Sequence, residues 1–190
     1  MLITNATTRR WTKQEYYRLW ETGFFSPQER TELIEGEIVV VTPPGPEHSK
    51  SIRKGNGHLV RLYGDSHDIL VQLPLDLSQS NQPQPDFALV PVGESPDGHP
   101  TTADLVIEVS HSSLGFDTGE KLEIYARAGI AEYWVVDVAN KRAIVYRDPG
   151  RLSETSSHFA FATRQVYQPD QAVQPLLIPG PACELAPFFA

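Results

Sequence analysis

Three residues near the middle of the chain have the types and spacing for chemistry on a phosphate. Asp86 follows Pro85 at the start of an apolar segment, Glu108 lies inside the run Leu105-Val106-Ile107-Glu108-Val109, and Lys121 follows further along. A carboxylate buried in such a run is costly unless something pairs with it. A divalent cation is one such partner: magnesium takes oxygen ligands at about 2.0–2.1 Å, typically one or two carboxylates completed by water and substrate phosphate. Two acids and a lysine form a minimal set for metal-assisted cleavage of a phosphodiester, with the lysine polarising water or offsetting charge on the phosphate. Each residue also has an ordinary structural reading. Asp86 would cap a turn, Glu108 would pair with a basic side chain, and Lys121 would bridge to Asp117 four residues earlier, for about 0.3–0.5 kcal/mol.

Other candidates are set by position. Glu32 and Glu35 flank Leu33-Ile34 in a short extended run and point to opposite faces, so only one can join a site. His48 opens a helical stretch after a proline-rich loop; it has the pKa of a general acid or base, although such a histidine commonly caps or packs. Ser110, Ser112 and Ser113 form no nucleophile elbow, and neither a P-loop nor a dinucleotide fingerprint occurs.

These residues need elements to hold them. Thr12 with Glu15 reads as a capping box opening a helix to Glu21, ended by Gly23. Thr31–Glu35 and Glu37–Val41 read as a hairpin turning at Glu35-Gly36. Pro43-Pro44-Gly45-Pro46 is a loop, and His48–Tyr63 a helix. Alternating apolar residues predict a strand over Ile69–Leu77. A polar turn, a short strand Phe87–Val90 and a loop from Val92 to Thr102 follow. Leu105–Val109, apolar on both faces apart from Glu108, reads as a central strand. Asp117 can cap a helix running to Ala128, closed by Gly129. Glu132–Val138 and Arg142–Tyr146 are strands joined at Ala139-Asn140-Lys141. His158–Tyr167 and Ala172–Ile178 are candidate edge strands, and Leu185–Phe189 a terminal apolar turn. The strand–helix–strand unit from Leu105 to Val138 implies a parallel pair with a right-handed crossover, while the hairpins imply antiparallel neighbours. The fold class is therefore α/β (α+β), a mixed sheet with helices on it.

Bulk properties fit one globular domain over residues 1–190, with its core at about 31–147. Hydrophobic residues are 40% and charged residues 21%, which excludes a disordered chain. The net charge of −8 argues against nonspecific coating of nucleic acid but leaves room for a small metal-bearing cleft. The lone Cys183 excludes an internal disulfide or a cysteine-bound zinc and reads as a small buried hydrophobe. Met1–Arg10 lacks the apolar core of a signal peptide, and no apolar run is long enough to span a bilayer, so a cytoplasmic protein without membrane contact is expected.

Taken together, Pro85-Asp86, Leu105-Val106-Ile107-Glu108-Val109-Ser110, Asp117 with Lys121, Tyr125-Ala126-Arg127-Ala128-Gly129-Ile130 and Glu132-Tyr133-Trp134-Val135-Val136-Asp137 resemble the Uma-type endonuclease family. That family belongs to the PD-(D/E)XK, restriction endonuclease-like superfamily. Glu32-Leu33-Ile34-Glu35-Gly36-Glu37 and His48 resemble its N-terminal pattern, and the likeness runs from about Thr12 to Tyr146, with a looser tail. The resemblance implies a restriction endonuclease-like core with an added N-terminal hairpin and C-terminal strands. It implies Asp86 and Glu108 as ligands of Mg2+ (or Mn2+), with Glu32 completing the site. The superfamily's usual lysine, two residues after the second acid, is here Ser110; Lys121 on the following helix is the replacement. Asp117 and His48 match recurrent positions of undefined role. The implied activity is endonucleolytic hydrolysis of DNA, with RNA also open, and a homodimer is the arrangement that cuts both strands; Tyr- and Trp-bearing strand surfaces would support it. The competing expectation is a binding or regulatory module on the same fold, without catalysis or with a weak relict site.

Overall fold

The computed structural model describes residues 7–43, 45–94 and 98–189. Pro44 of the expected loop, Ser95 to Asp97 of the loop after Val92, and residues 1–6 lie outside them. The elements in order are α1 (Lys13–Glu21), β1 (Arg30–Ile34), β2 (Glu37–Val41), α2 (Pro46–Tyr63), β3 (His67–Leu70), β4 (Phe87–Pro91), β5 (Leu105–Ser110), α3 (Leu114–Asp117), α4 (Glu120–Arg127), β6 (Glu132–Asp137), β7 (Arg142–Arg151), β8 (Phe159–Tyr167), β9 (Ala172–Val173), β10 (Cys183–Glu184) and α5 (Ala186–Phe189). A six-stranded mixed sheet in the order β3-β4-β5-β6-β7-β8 forms the centre. Its one parallel pair is β5 with β6, joined through α3 and α4. No described helix is long and apolar enough to cross a membrane.

The core strands read the pleat directly. Leu105, Ile107 and Val109 point to one face, where Leu59 and Tyr63 of α2 and Phe188 of α5 cover them. Val106 points to the other, under Tyr125 of α4 and beside Tyr133 and Val135 of β6. Each such side chain contributes about 1.5–3 kcal/mol by leaving water. Glu108 shares the Val106 face by the same alternation, so it must look toward α4. Gly55 lets α2 and α5 close: a Cβ there would come within 2.6 Å of the Phe188 ring.

β1 and β2 form a separate two-stranded sheet. Glu35 and Gly36 at its tip have φ of 51° and 72°, the left-handed pair that a two-residue hairpin requires. α1 begins at Thr12 with the reciprocal Thr12–Glu15 capping box. It packs Tyr16 on the hairpin, the phenol donating to Thr31 O at 2.7 Å.

Four expectations change. The strand over Ile69–Leu77 ends at Leu70, because Gln72 takes φ 52° and Pro74 lacks an amide; the alternation that suggested a ladder reflects packing of Leu75 into the core. The helix expected from Asp117 is broken. Asp117 ends the short α3, and Gly119 lies so close to Gly115 that a Cβ would meet its carbonyl at 2.8 Å. The strand expected over Ala172–Ile178 is only Ala172–Val173, paired with Cys183–Glu184. Tyr133 and Trp134 are fully buried within the sheet, so a Tyr- and Trp-bearing surface is not found on β6.

Candidate active site

The register of the sheet brings the two acids together. β4 and β5 are antiparallel with Phe87 opposite Ile107, so one step beyond the last pair Asp86 stands across from Glu108. Two hydrogen bonds tie them: Val109 N donates to Asp86 Oδ2 at 2.8 Å, and Asp86 N donates to Glu108 Oε2 at 3.3 Å. The parallel β5–β6 crossover then returns α4 over the same face. Lys121 and Tyr125, four residues apart on one side of that helix, both reach Glu108 Oε1 at 2.9 Å. From the hairpin, Glu32 comes within 3.1 Å of Lys121 Nζ through Oε2. That oxygen is buried and accepts no well-aligned hydrogen bond.

His48, in the first turn of α2, approaches Asp86 Oδ2 through Nε2 at 3.0 Å; its Nδ1 is buried without a partner. Gln72 donates to Asp86 Oδ1 at 3.0 Å. Asp117 accepts from Ser110 and Ser113. It neither caps α4 nor pairs with Lys121. Ser110, at the usual lysine position, therefore orients Asp117, and the ammonium enters from the helix. Glu35 turns away to Arg127 and Asn81. The five candidate groups, Glu32, His48, Asp86, Glu108 and Lys121, line one cleft of about 260 Å³, and Asp117 lines it with them.

The charges respond to this crowding. Burial is the largest influence on Glu108 and pushes its pKa up to about 8; Lys121 opposes that, while Asp117, Asp86 and Glu32 add to it. Burial works against the charged form of Lys121, but Glu108, Glu32 and Asp117 outweigh it and hold the ammonium charged well above its ordinary range. Burial also penalises ionised Asp86, yet His48, Gln72 and the Val109 amide keep its pKa below the ordinary value. His48 is desolvated too, and Asp86 more than offsets this, raising its pKa. Asp117 is raised, chiefly by burial. The floor thus holds four carboxylates against two basic groups.

Two residues here have no motif of their own in the sequence. Tyr125 is an apolar-looking helix position, although its spacing of four from Lys121 is a usable signal. Gln72 gave none, because its reach depends on an irregular backbone turn.

A family profile described as "Uma2: Putative restriction endonuclease" matches residues 14–181. The chain belongs to the Uma2 family. No curated protein matches the sequence. Among solved structures, "a putative nuclease belonging to DUF820" from Anabaena variabilis ATCC 29413 is similar, with a TM-score of 0.62 over 94% of this chain and 97% of that one. At 17% identity this likeness establishes the fold that the Uma2 chain shares with it, and no more.

Among the described residues, no three His, Cys, Asp or Glu side chains converge as a ready cage for a metal ion. Lys121 stands between Glu32 and Glu108, and His48 and Gln72 occupy Asp86. The donor set nevertheless suits a hard cation. It is carboxylate oxygen throughout, with an excess of negative charge and an unsatisfied Glu32 Oε2.

Proposed function

We propose that this Uma2 protein is a metal-dependent endonuclease that hydrolyses phosphodiester bonds in DNA. The observation that carries the reading is the convergence of Asp86, just before β4, with Glu108 of β5 and Lys121 of α4 in one cleft, the three-part set that the family pattern calls for. Asp86 and Glu108 would hold Mg2+ or Mn2+, with Glu32 beside them. When bound, the cation supplies Lewis acidity toward the phosphate and makes its water acidic.

The chain's own groups do the rest. Lys121 draws the Glu108 pKa down against the effect of burial and stands ready to offset charge gathering on the phosphoryl oxygens. Tyr125 donates to Glu108 Oε1 and helps hold that oxygen in place. His48 steadies Asp86 through Nε2. With Glu32, Asp86, Glu108 and Lys121 only 3, 7, 4 and 5% exposed, the target phosphate must descend to them.

A binding or regulatory module on the same fold is the second reading, favoured by the net charge of −8 and by the protein contacts already engaging both Asp86 oxygens. Plasmid cleavage in Mg2+ and in Mn2+ separates the two. The nuclease reading expects nicking by the wild type and at least about a hundredfold loss in Asp86→Asn and Glu108→Gln, since removal of one electrostatic contributor typically costs that much. Equal activity in all three proteins would assign the cleavage to a contaminant and leave the binding module.

A further inference from the structure

Arg30 is the one cation lining the cleft that no acid neutralises among the described residues. It lies two residues before Glu32 on β1, so the strand's alternation sends both side chains to the same face, about 7 Å apart along the strand. Glu32 goes to the cleft floor; Arg30, half-buried, lines its edge. Among the described residues, its only side-chain hydrogen bond runs from Nη1 to the neutral amide oxygen of Gln72, at 3.2 Å. The other partly buried arginines are paired, Arg142 with Asp137 and Arg147 with Glu132. A guanidinium has five N–H donors, and the fold uses one of them. Of the other basic side chains lining the cleft, Lys121 is engaged by two glutamates and His48 by Asp86, while His111 stands exposed at the rim.

An anionic polymer approaching this cleft meets four carboxylates. Something at the entrance must favour its entry, and a planar guanidinium matches a phosphate with two parallel hydrogen bonds. We propose that Arg30 is a phosphate-binding residue that seats a backbone phosphate of the nucleic-acid substrate at the entrance of the cleft. Gln72 links that seat to the site: it accepts from Arg30 through Oε1 and donates to Asp86 through Nε2, so a phosphate held by Arg30 sits in register with the acid pair. The proposal rests on the nuclease reading and adds the group that recognises the substrate backbone.

The test is equilibrium binding of a short fluorescent duplex, followed by anisotropy in Ca2+ at several salt concentrations. Each phosphate contact adds about 0.9 to the slope of log K against log salt. Arg30→Gln is expected to bind about tenfold more weakly and to lower that slope by about 0.9. Arg164→Gln, which removes another exposed arginine on β8 away from the cleft, is expected to match the wild type in both. Arg30→Lys keeps the charge without the fork, so weaker binding with an unchanged slope is expected; it decides the matter should Arg30→Gln melt early. Wild-type affinity and slope in both Arg30 variants would overturn the assignment while leaving the nuclease reading intact. Failure of the wild type to bind any duplex or single strand would overturn the nuclease reading and the Arg30 role with it.

Discussion

Replacing Lys121 by methionine removes the ammonium and keeps much of the packing. Glu108 and Glu32 then share a buried site without their common cation, a change that typically costs about 3–5 kcal/mol. The cost must depend on pH, and the sign follows from Glu108. Its pKa is raised from about 4.5 in the unfolded chain to about 8 in the fold. A raised carboxyl stabilises the fold most at acid pH and loses that contribution as pH climbs to the folded value. In the wild type the loss is complete above about pH 8. Without Lys121 the folded pKa of Glu108 rises further, so the variant keeps losing about 1.4 kcal/mol per pH unit where the wild type has levelled off. The raised Lys121 pKa lies above this window and does not blur it. Urea titrations of both metal-free proteins from roughly pH 6 to 9 measure the difference. The stability gap is expected to widen above about pH 8; parallel curves across the range would refute the assignment of Lys121 as the group that draws the Glu108 pKa down.

Two further outcomes are expected. Mg2+ or Mn2+ should raise the thermal midpoint of the wild type more at pH 8.5 than at pH 6.5, because a cation must displace the proton that Glu108 carries below about pH 8; by linkage, saturation to ten times Kd is worth about 1.4 kcal/mol. Calorimetry in buffers of different ionisation enthalpy should show proton release, and a midpoint that ignores metal at both pH values would count against ligation by Glu108. Gly55→Ala should lower stability by about 1–3 kcal/mol in urea, because the new methyl group must push the Phe188 ring off α2; an unchanged midpoint would show that α5 is free to shift.

Much of the positioning was legible because it follows from local rules. The Thr12–Glu15 cap, the Glu35-Gly36 turn and the two-sided burial of Leu105–Val109 each depend on a few neighbouring residues, and the structure has all three. The meeting of Glu108 with Lys121 was legible at one remove, through the crossover that returns a helix to its own strand. What stayed hidden depends on backbone departures and on contacts across the fold. Gln72 reaches Asp86 only because the chain leaves the sheet after Leu70. Asp117 looked like a cap because Glu120 stands three residues later, yet the close approach of Gly119 to Gly115 moves the helix start beyond it. Arg30 carried no motif; its meaning comes from the absence of an acid partner in three dimensions.

The small hairpin sheet has a consequence for how loss of activity would be distributed along the chain. β1 supplies Glu32 and Arg30, yet its ladder is separate from the six-stranded sheet; the Leu33–Gln82 bridge, the Asn81 contacts to Glu35 and the support of α1 through Tyr16 hold it beside a few side-chain contacts such as Glu32–Lys121 and Glu35–Arg127. Such a unit can open with a free energy well below that of global unfolding. Damage at Tyr16, Thr31 or Asn81, none of which needs to meet substrate, would then leave a well-folded sheet with a dismantled entrance. Faster amide exchange in Thr31–Ile34 alone, with unchanged exchange in Leu105–Val109, would be the signature of a protein silenced from its edge while its centre stays whole.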